Sequence, residues 1–404
     1  MIRIVLTSML LTACFSMACN AQSASLHAEW QKLKTISNIQ DETQRTQQLD
    51  RLWNEWQTQH KIPLAVGDSV IFLYRGEAET VAFGGDWNFF QPTPAQQLAN
   101  TDVWYWKNRF PADARIDYKI ILNGTNYILD SANIYKQYSG YNGGQYNSEL
   151  RMPQFKPEKW AEAQSNITKG KLNEPTLIKS KVLDYDIQYQ VYLPNGYAQL
   201  KNLPVFYVTD GQEYSDARMG SMVTTIDNLL ASKQIKPLIL VFVDPREPGN
   251  PNNNRRESEF LTNEKFLQFF KQELIPTIDK QFKTSTKAAD RGILGTSFGG
   301  VNSTYFMLKA SDTFGMIGIN SPAYWIRMSL IEDIIRSPRL PVKVFLSTGA
   351  VSDGEEIARI VRTALQDKGY PLQYIEVNQG HSWGQWRTLM DDLLLYFFAK
   401  EAVK

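Results

Sequence analysis

A glycine-flanked serine, Ser297, is the side chain of this sequence best suited to act as a nucleophile. Residues 295–300 read Gly-Thr-Ser-Phe-Gly-Gly, between a short apolar run at 292–294 and a stretch with helical spacing at 301–310. A Gly-x-Ser-x-Gly motif between a strand and a helix makes a sharp turn that exposes the serine hydroxyl at the edge of a sheet. The helix N-terminus favours negative charge developing near that hydroxyl. The alternative is an ordinary Gly/Ser turn, and the strand–turn–helix context favours the nucleophile.

A serine hydroxyl needs a neighbouring base, and the chain contains three histidines, His27, His60 and His381. His27 and His60 precede the strand-rich parts of the sequence. His381 follows an apolar run at 372–377, in the same region as Ser297. Loops after parallel strands lie at the carboxyl edge of the sheet, where a catalytic histidine is expected. The sequence therefore predicts His381 as the general base.

The acid that orients the histidine is expected between the serine and the histidine in chain order. Asp353 lies in the loop after an apolar run at 342–346, and we predict that it orients His381. Glu355 and Glu356 are alternatives. Asp353 also precedes a stretch with helical spacing, so the alternative is that it caps that helix, and both roles could hold together.

An oxyanion hole requires two backbone N–H groups. The first is predicted at Phe298, directly after the nucleophile. The second is predicted at Gln212, in the turn after the apolar run at 205–208. Gly211 fits a tight turn at this point.

Length and patterning predict two domains behind an N-terminal helical segment at 25–60. Residues 62–135 contain short strand-like runs separated by turn residues, which indicates a small immunoglobulin-like β-sandwich. A linker is predicted at 136–174. From 175 to 404, apolar strand-like runs alternate with helical stretches, which predicts an α/β fold with a doubly wound, mostly parallel sheet, as in α/β-hydrolases.

Composition excludes several classes of function. The formal net charge is +1 and no long Lys/Arg run occurs, so no nucleic-acid partner is expected. Both cysteines, Cys14 and Cys19, lie within the first 19 residues. Disulfides, thiol catalysis and cysteine-based metal sites are therefore not expected in the folded domains.

The N-terminus resembles an export signal. A basic start at Arg3 is followed by a short apolar run, so residues 1–21 are predicted to direct export to the periplasm or cell envelope of a bacterium. Residues 11–14, Leu-Thr-Ala-Cys, resemble a lipobox that would place a lipid anchor on Cys14. The alternative is ordinary cleavage near Ala21.

Taken together, these motifs resemble the enterochelin (catecholate siderophore) esterase group of the putative esterase family, over nearly the whole chain after the signal. The matching segments are residues 85–88, 111–119, 129–130, 147–150, 191–194, 210–211, Arg256 with Glu259, 295–300, and 380–383 with 386–387. The resemblance implies hydrolysis of carboxylic esters through an acyl-enzyme, with no metal or organic cofactor. It also implies a small-molecule or oligosaccharide ester as substrate. Related branches act on feruloyl or acetyl esters of plant polysaccharides, and others transfer acyl groups.

Four further side chains are predicted near the substrate. Arg256 either binds an anionic or catechol part of the substrate or forms an ion pair with Glu259. Tyr324, Trp325 and Trp383 are predicted to wall the pocket, and core packing is the strongest alternative for Trp325.

A non-enzymatic function is the remaining alternative. Binding sandwiches of surface proteins stack sugars on aromatic rings, and Trp87, Trp104 and Trp106 are the candidates here. The serine, histidine and acid predicted in the other domain favour the enzyme.

Overall fold

The computed structural model describes residues 25–140 and 145–400, which form two compact units. The first unit contains the described residues up to Lys156 together with Asn378–Gly380, and the second contains Pro157–Val377 and residues 381–400. The predicted export signal and Cys14 lie outside the described residues. Within the described ranges, no helix has the length and apolar character needed to cross a membrane.

Two helices open the first unit, where the sequence predicted one helical segment at 25–60. Helix α1 covers residues 25–37 and α2 covers Glu42–Thr58. The break between them arises at Asp41, whose carboxylate accepts a hydrogen bond from the Gln44 amide at 2.6 Å and so begins a new helix. Their apolar faces, with Trp56 fully buried, pack with residues of the neighbouring β-strands into one core.

Two antiparallel sheets follow. One has the strand order β1-β2-β6-β5, and the other has the order β4-β3-β7-β10-β9 with β8 paired to β7. The sheets pack face to face through aromatic rings, with Phe72 5.4 Å from Phe83 and 5.0 Å from Tyr118. The strands are β1 (Leu64–Val66), β2 (Ser69–Arg75), β3 (Val81–Gly85), β4 (Thr93–Pro94), β5 (Gln96–Gln97), β6 (Val103–Arg109), β7 (Arg115–Leu122), β8 (Asn126–Ile128), β9 (Lys136–Tyr138) and β10 (Tyr146–Arg151).

The predicted boundary of this β-unit at residue 135 is too early. Strands β9 and β10 lie inside the predicted linker 136–174, and β10 pairs with β7 in the middle of the second sheet. Strand β10 was not predicted because its sequence, Tyr-Asn-Ser-Glu-Leu-Arg, is polar. Its buried Glu149 forms an ion pair with Arg115 at 2.9 Å. A buried ion pair of this kind replaces the apolar alternation by which strands are recognised.

The tryptophans proposed as a sugar-stacking platform pack within this unit instead. Trp104 is buried, and Trp87 stacks on Trp106 at 4.9 Å while both rings contact Phe72. Trp87 and Trp106 are partly exposed, but their mutual stacking and their contacts with Phe72 are those of an aromatic core.

The second unit contains a nine-stranded sheet with the order β11-β13-β15-β14-β18-β19-β20-β21, in which β12 pairs with β13. The six strands from β15 to β21 along this order are parallel, and β11, β12 and β13 are antiparallel. The predicted mostly parallel α/β sheet is therefore confirmed. The sheet strands are β11 (Lys171–Leu172), β12 (Thr176–Lys179), β13 (Asp186–Leu193), β14 (Val205–Thr209), β15 (Ile239–Asp244), β18 (Arg291–Thr296), β19 (Met316–Asn320), β20 (Lys343–Gly349) and β21 (Leu372–Val377); β16 (Arg246–Glu247) and β17 (Asn250–Asn254) form a separate hairpin.

The second unit begins before the predicted residue 175. The Asn228 side chain donates to the Trp160 carbonyl at 2.7 Å, and Ser221 Oγ donates to the Ala161 carbonyl at 2.8 Å. Both bonds attach a short turn at Lys159–Ala161 to helix α4 (Met222–Ala231) and its N-cap residue, Ser221. The polar segment before β11 therefore belongs to this unit.

Helices connect the parallel strands, as near-continuous apolar strands require, and two more helices follow the last strand. They are α3 (Gly211–Ser215), α4 (Met222–Ala231), α5 (Arg256–Phe260), α6 (Glu264–Phe269), α7 (Ile275–Gln281), α8 (Phe298–Lys309), α9 (Ser329–Arg336), α10 (Glu355–Asp367), α11 (Trp383–Arg387) and α12 (Met390–Phe398). A π-helical turn at Phe270–Leu274 lies between α6 and α7.

Candidate active site

Ser297 lies in the turn between β18 and α8, at φ +58° and ψ −114°. This backbone conformation is rare for a residue with a side chain and is found where the surroundings enforce it. The surroundings here are close: a Cβ on Gly295 would lie 2.3 Å from the Gly299 carbonyl carbon, and one on Gly299 would lie 2.8 Å from Thr209 Oγ1. Gly295 is therefore required by the neighbouring backbone, and Gly299 by the buried Thr209 side chain.

The structure brings Ser297, His381 and Asp353 together. His381 Nε2 lies 3.0 Å from Ser297 Oγ, and His381 Nδ1 contacts Asp353 Oδ1. A carboxylate only accepts hydrogen bonds, so Nδ1 carries the proton and Nε2 is left to accept the serine hydroxyl. The Asp353 side chain is fully buried, whereas the His381 ring is 23% exposed. Buried Asp353 therefore holds the His381 ring in place, and the ring remains accessible to solvent.

Three neutral donors hold the Asp353 carboxylate. Its Oδ2 accepts hydrogen bonds from the Gly349 amide, from Ser321 Oγ at 2.5 Å and from Thr348 Oγ1 at 3.1 Å. These bonds compensate the burial of a charge and set the direction of Oδ1 toward His381. Ser321 and Thr348 were not singled out from the sequence, because hydroxyl side chains carry no recognisable spacing signal.

The alternatives to Asp353 as the partner of His381 are not favoured by the geometry. Glu355 accepts a hydrogen bond from the Asp353 amide at 3.1 Å, and Glu356 is exposed in the first turn of the following helix. The prediction that Asp353 caps helix α10 is wrong, because the N-cap residue is Gly354 and no side chain caps the helix.

The two predicted oxyanion donors lie in the first turns of helices. Phe298 is the first residue of α8, and Gln212 is the second residue of α3, which follows β14. Amides in a first helical turn have no acceptor within their own helix, so they are available to an incoming oxyanion. The neighbouring Glu213 and Tyr214 amides already donate to the Asp210 carbonyl, at 2.9 and 3.1 Å.

Arg256 does not form the predicted ion pair with Glu259. Its guanidinium pairs with the buried carboxylate of Asp210, with Nε 2.8 Å from each oxygen. Glu259 instead accepts a hydrogen bond from the Tyr185 hydroxyl at 2.9 Å.

The structure separates the three aromatic residues that were predicted to wall the pocket. Tyr324 is fully buried with its hydroxyl 2.8 Å from Thr304 Oγ1, so the prediction that it walls the pocket is wrong. Trp383 is also buried, 2% exposed. Trp325, for which core packing was the strongest alternative, is 45% exposed, and its ring centroid lies 5.7 Å from that of His381.

Trp383 contacts the histidine indirectly, through Trp386. Its ring packs edge-on against Trp386 at 5.0 Å, and Trp386 packs edge-on against His381 at 5.0 Å. The Trp383 indole N–H donates to Glu213 Oε2 at 2.8 Å. Burial raises the pKa of Glu213 to about 7, and the nearby Asp210 carboxylate adds to this rise while Arg256 opposes it.

This raised pKa predicts a dependence of stability on pH. Between the ordinary Glu value of 4.5 and about 7, the folded state holds a proton that the unfolded state has released, so stability falls as pH rises. Glu213→Gln keeps an acceptor for the Trp383 indole and removes the titration. From pH 5 to pH 8, the free energy of unfolding of this variant should rise by about 1–2 kcal/mol relative to that of the parent protein. Urea unfolding at both pH values measures this, and parallel profiles would contradict the assignment.

A family model matches the part of the chain that contains Ser297, Asp353 and His381, and two related proteins match more than half of the chain. The model of the family described as "Putative esterase" matches residues 180–397. The endo-1,4-β-xylanase/feruloyl esterase of Xylanibacter ruminicola is 29% identical over 219 residues, which cover 52% of this chain and 29% of that protein. The iron(III) enterobactin esterase of Escherichia coli K12 is 24% identical over 259 residues, which cover 58% of this chain and 62% of that protein. The aligned part of this chain therefore spans less than two thirds of either relative.

Solved structures show the same fold. The enterobactin esterase of Shigella flexneri, crystallised in the presence of enterobactin, superposes with a TM-score of 0.67 at 21% identity, over 81% of this chain and 92% of that chain. The ferric enterobactin esterase of Salmonella typhimurium superposes with a TM-score of 0.68 at 18% identity, over 81% and 93%. The match of the family model to more than half of the sequence confirms the resemblance predicted from the motifs, and the chain belongs to the putative esterase family.

Proposed function

We propose that this chain is a serine esterase that hydrolyses carboxylic esters through an acyl-enzyme on Ser297. The observation that carries the proposal is the 3.0 Å separation of Ser297 Oγ from His381 Nε2, with His381 Nδ1 on the buried carboxylate of Asp353. A serine in this arrangement loses its proton to the imidazole as it attacks a carbonyl carbon.

The reaction divides into two steps. In acylation, Ser297 Oγ bonds to the ester carbonyl carbon, and His381 takes the hydroxyl proton and then gives it to the leaving alkoxide. The Gln212 and Phe298 amides stabilise the oxyanion, and Asp353 stabilises the imidazolium. In deacylation, His381 takes a proton from a water molecule that attacks the acyl carbon. His381 then returns that proton to Ser297 Oγ as the bond between the acyl carbon and Oγ breaks and the carboxylic acid leaves.

We propose esters of aromatic acids as the substrate class. The relatives named above include an enterobactin esterase and a feruloyl esterase, and a Shigella flexneri enterobactin esterase was crystallised with 2,3-dihydroxy-N-benzoyl-serine, which carries an aromatic ring. Trp325 supports the same class here, since an exposed indole face beside His381 suits stacking of a planar ring.

A panel of esters tests this proposal. Turnover of a dihydroxybenzoyl-serine trilactone, methyl ferulate, an acetylated xylo-oligosaccharide and p-nitrophenyl acetate should be compared, and a fluorophosphonate probe should label Ser297. Faster turnover of either aromatic ester than of the acetylated sugar supports the substrate class, and the ratio of the first two separates catecholate from feruloyl substrates. Absence of turnover of every ester, without labelling of Ser297, would overturn the proposal.

Trp325→Ala should selectively weaken the use of aromatic esters. Loss of the ring face should raise KM for methyl ferulate about tenfold, equivalent to about 1.4 kcal/mol, and leave KM for methyl butyrate nearly unchanged. The neighbouring Tyr324→Phe is the matched control, because its hydroxyl bonds Thr304 inside the core. It should lower the free energy of unfolding by about 1 kcal/mol and change neither KM. Equal effects of Trp325→Ala on both esters would remove Trp325 from the substrate site.

A further inference from the structure

Two strained turns carry the candidate oxyanion donors. Asp210, at φ +54°, begins the turn that leads to Gln212, and Ser297, at φ +58°, begins the turn that contains Phe298. Residues other than glycine keep such conformations only where neighbouring groups hold them. The two turns are adjacent in space, because Thr209 Oγ1 donates to the Leu294 carbonyl at 3.0 Å and lies against Gly299.

A single guanidinium, that of Arg256, contacts both turns. Its Nε donates to the Asp210 carboxylate, 2.8 Å from each oxygen, and its Nη2 donates to the Thr296 carbonyl at 3.1 Å. Its central carbon also lies 4.9 Å from the centre of the Phe298 ring. Asp210 is two residues before Gln212, and Thr296 is two residues before Phe298. Arg256 thus contacts the chain just ahead of each donor.

We propose that Arg256 is a positioning residue that holds the Gln212 and Phe298 amides at the spacing an oxyanion requires. This inference rests on the proposed esterase function and replaces the predicted role of Arg256 in binding substrate. The Asp210 side chain is fully buried and that of Arg256 is 24% exposed. If Arg256 swung away to meet an anionic substrate, it would leave a buried carboxylate without this partner, which is strongly unfavourable.

The two roles predict different kinetics. Oxyanion donors act on the charge that develops in the transition state, so loosening them lowers kcat with little change in KM. An arginine that binds a carboxylate or catecholate in the substrate would instead raise KM for anionic esters and leave neutral esters unaffected.

The experiment compares Arg256→Gln and Arg256→Lys with Arg255→Gln in the full chain. Arg255 provides a matched control because it carries the same charge, yet its guanidinium stacks on Tyr185 at 4.2 Å and lies 3.7 Å from Glu247. Each variant is assayed with neutral p-nitrophenyl acetate and anionic p-nitrophenyl hemisuccinate. Inhibition by phenylboronic acid, which forms a tetrahedral adduct with an active serine, reports on the oxyanion donors.

Arg256→Gln should lower kcat about 10- to 100-fold on both esters, with KM within about threefold and weaker boronate binding. Arg256→Lys should lose nearly as much, because one ammonium cannot span Asp210 and Thr296. Arg255→Gln should behave as the parent protein. If Arg256→Gln does not fold, Arg256→Lys decides the question.

Full kcat in Arg256→Lys, or an effect confined to KM for the anionic ester, would overturn the positioning role. A parent protein that cleaves neither ester would count against the proposed esterase itself. The two failures are therefore distinguishable.

Discussion

Ser297→Ala should abolish ester hydrolysis while leaving the fold intact. Removal of the nucleophile of a serine–histidine–acid group typically lowers kcat by about 10⁶, to the residual level supplied by the oxyanion donors and binding. The Ser297 side chain is small and its hydroxyl bonds His381, so its loss removes little packing. Steady-state turnover of p-nitrophenyl acetate measures the activity, and thermal unfolding measures the stability.

Ser303→Ala is the matched control. Ser303 is fully buried on the same helix, α8, and its hydroxyl has no hydrogen-bond partner within residues 25–140 and 145–400. It should retain parental turnover, which separates the loss of a hydroxyl in this helix from the loss of the nucleophile. Substantial turnover by Ser297→Ala, with no labelling of the parent by a fluorophosphonate, would show that another group attacks the ester.

The sheet of the second unit was predictable from sequence because its strands are buried on both faces. Strand β21 occupies the predicted residues, 372–377, and β14 and β20 differ from prediction by one to three residues at their ends. Every residue of β14 and β15 is buried, and such strands are recognised as short runs of apolar residues. The same rule does not find a strand such as β10, in which charged pairs occupy the interior.

The residues of the candidate site were predictable where the chemistry requires a residue type that is rare in this sequence. One histidine occurs in the α/β region, so the choice of His381 needed no structure. The partner of Arg256 is different. Asp210 lies 46 residues away in sequence, directly after β14, and β14 pairs in parallel with β15, which precedes the hairpin that leads to Arg256. When the order of the strands in the sheet is unknown, a carboxylate close in sequence, such as Glu259, is the partner that one predicts for Arg256.

The different placements of Tyr324, which is buried, and Trp325, which is exposed, have a local cause. Both lie in a single turn of 3₁₀-helix at Tyr324–Ile326, in which successive side chains point about 120° apart. One of the two side chains therefore faces the core and the other points toward solvent. Without a helix or strand period, the sequence does not reveal which one is which.

His381→Asn should be nearly as damaging as Ser297→Ala. The asparagine amide can still donate to Asp353, so the buried carboxylate keeps a partner, but nothing replaces Nε2 as the base for Ser297. Turnover should fall by about 10⁴ to 10⁶. His60→Asn is the control, because His60 is exposed and its backbone, at φ +54°, suits asparagine. It should leave turnover and the midpoint of thermal unfolding unchanged.

The double variant Ser297→Ala with His381→Asn gives the sharpest form of this prediction. Groups that act as a unit are not additive, so the double variant should be no slower than Ser297→Ala alone. Losses that multiply would mean that His381 assists the reaction independently of Ser297, for example by activating water directly. Retention of more than about a tenth of parental turnover by His381→Asn alone would place the general base elsewhere. The 3.0 Å contact between Nε2 and Oγ argues for the first outcome, because that bond makes the serine dependent on this one imidazole.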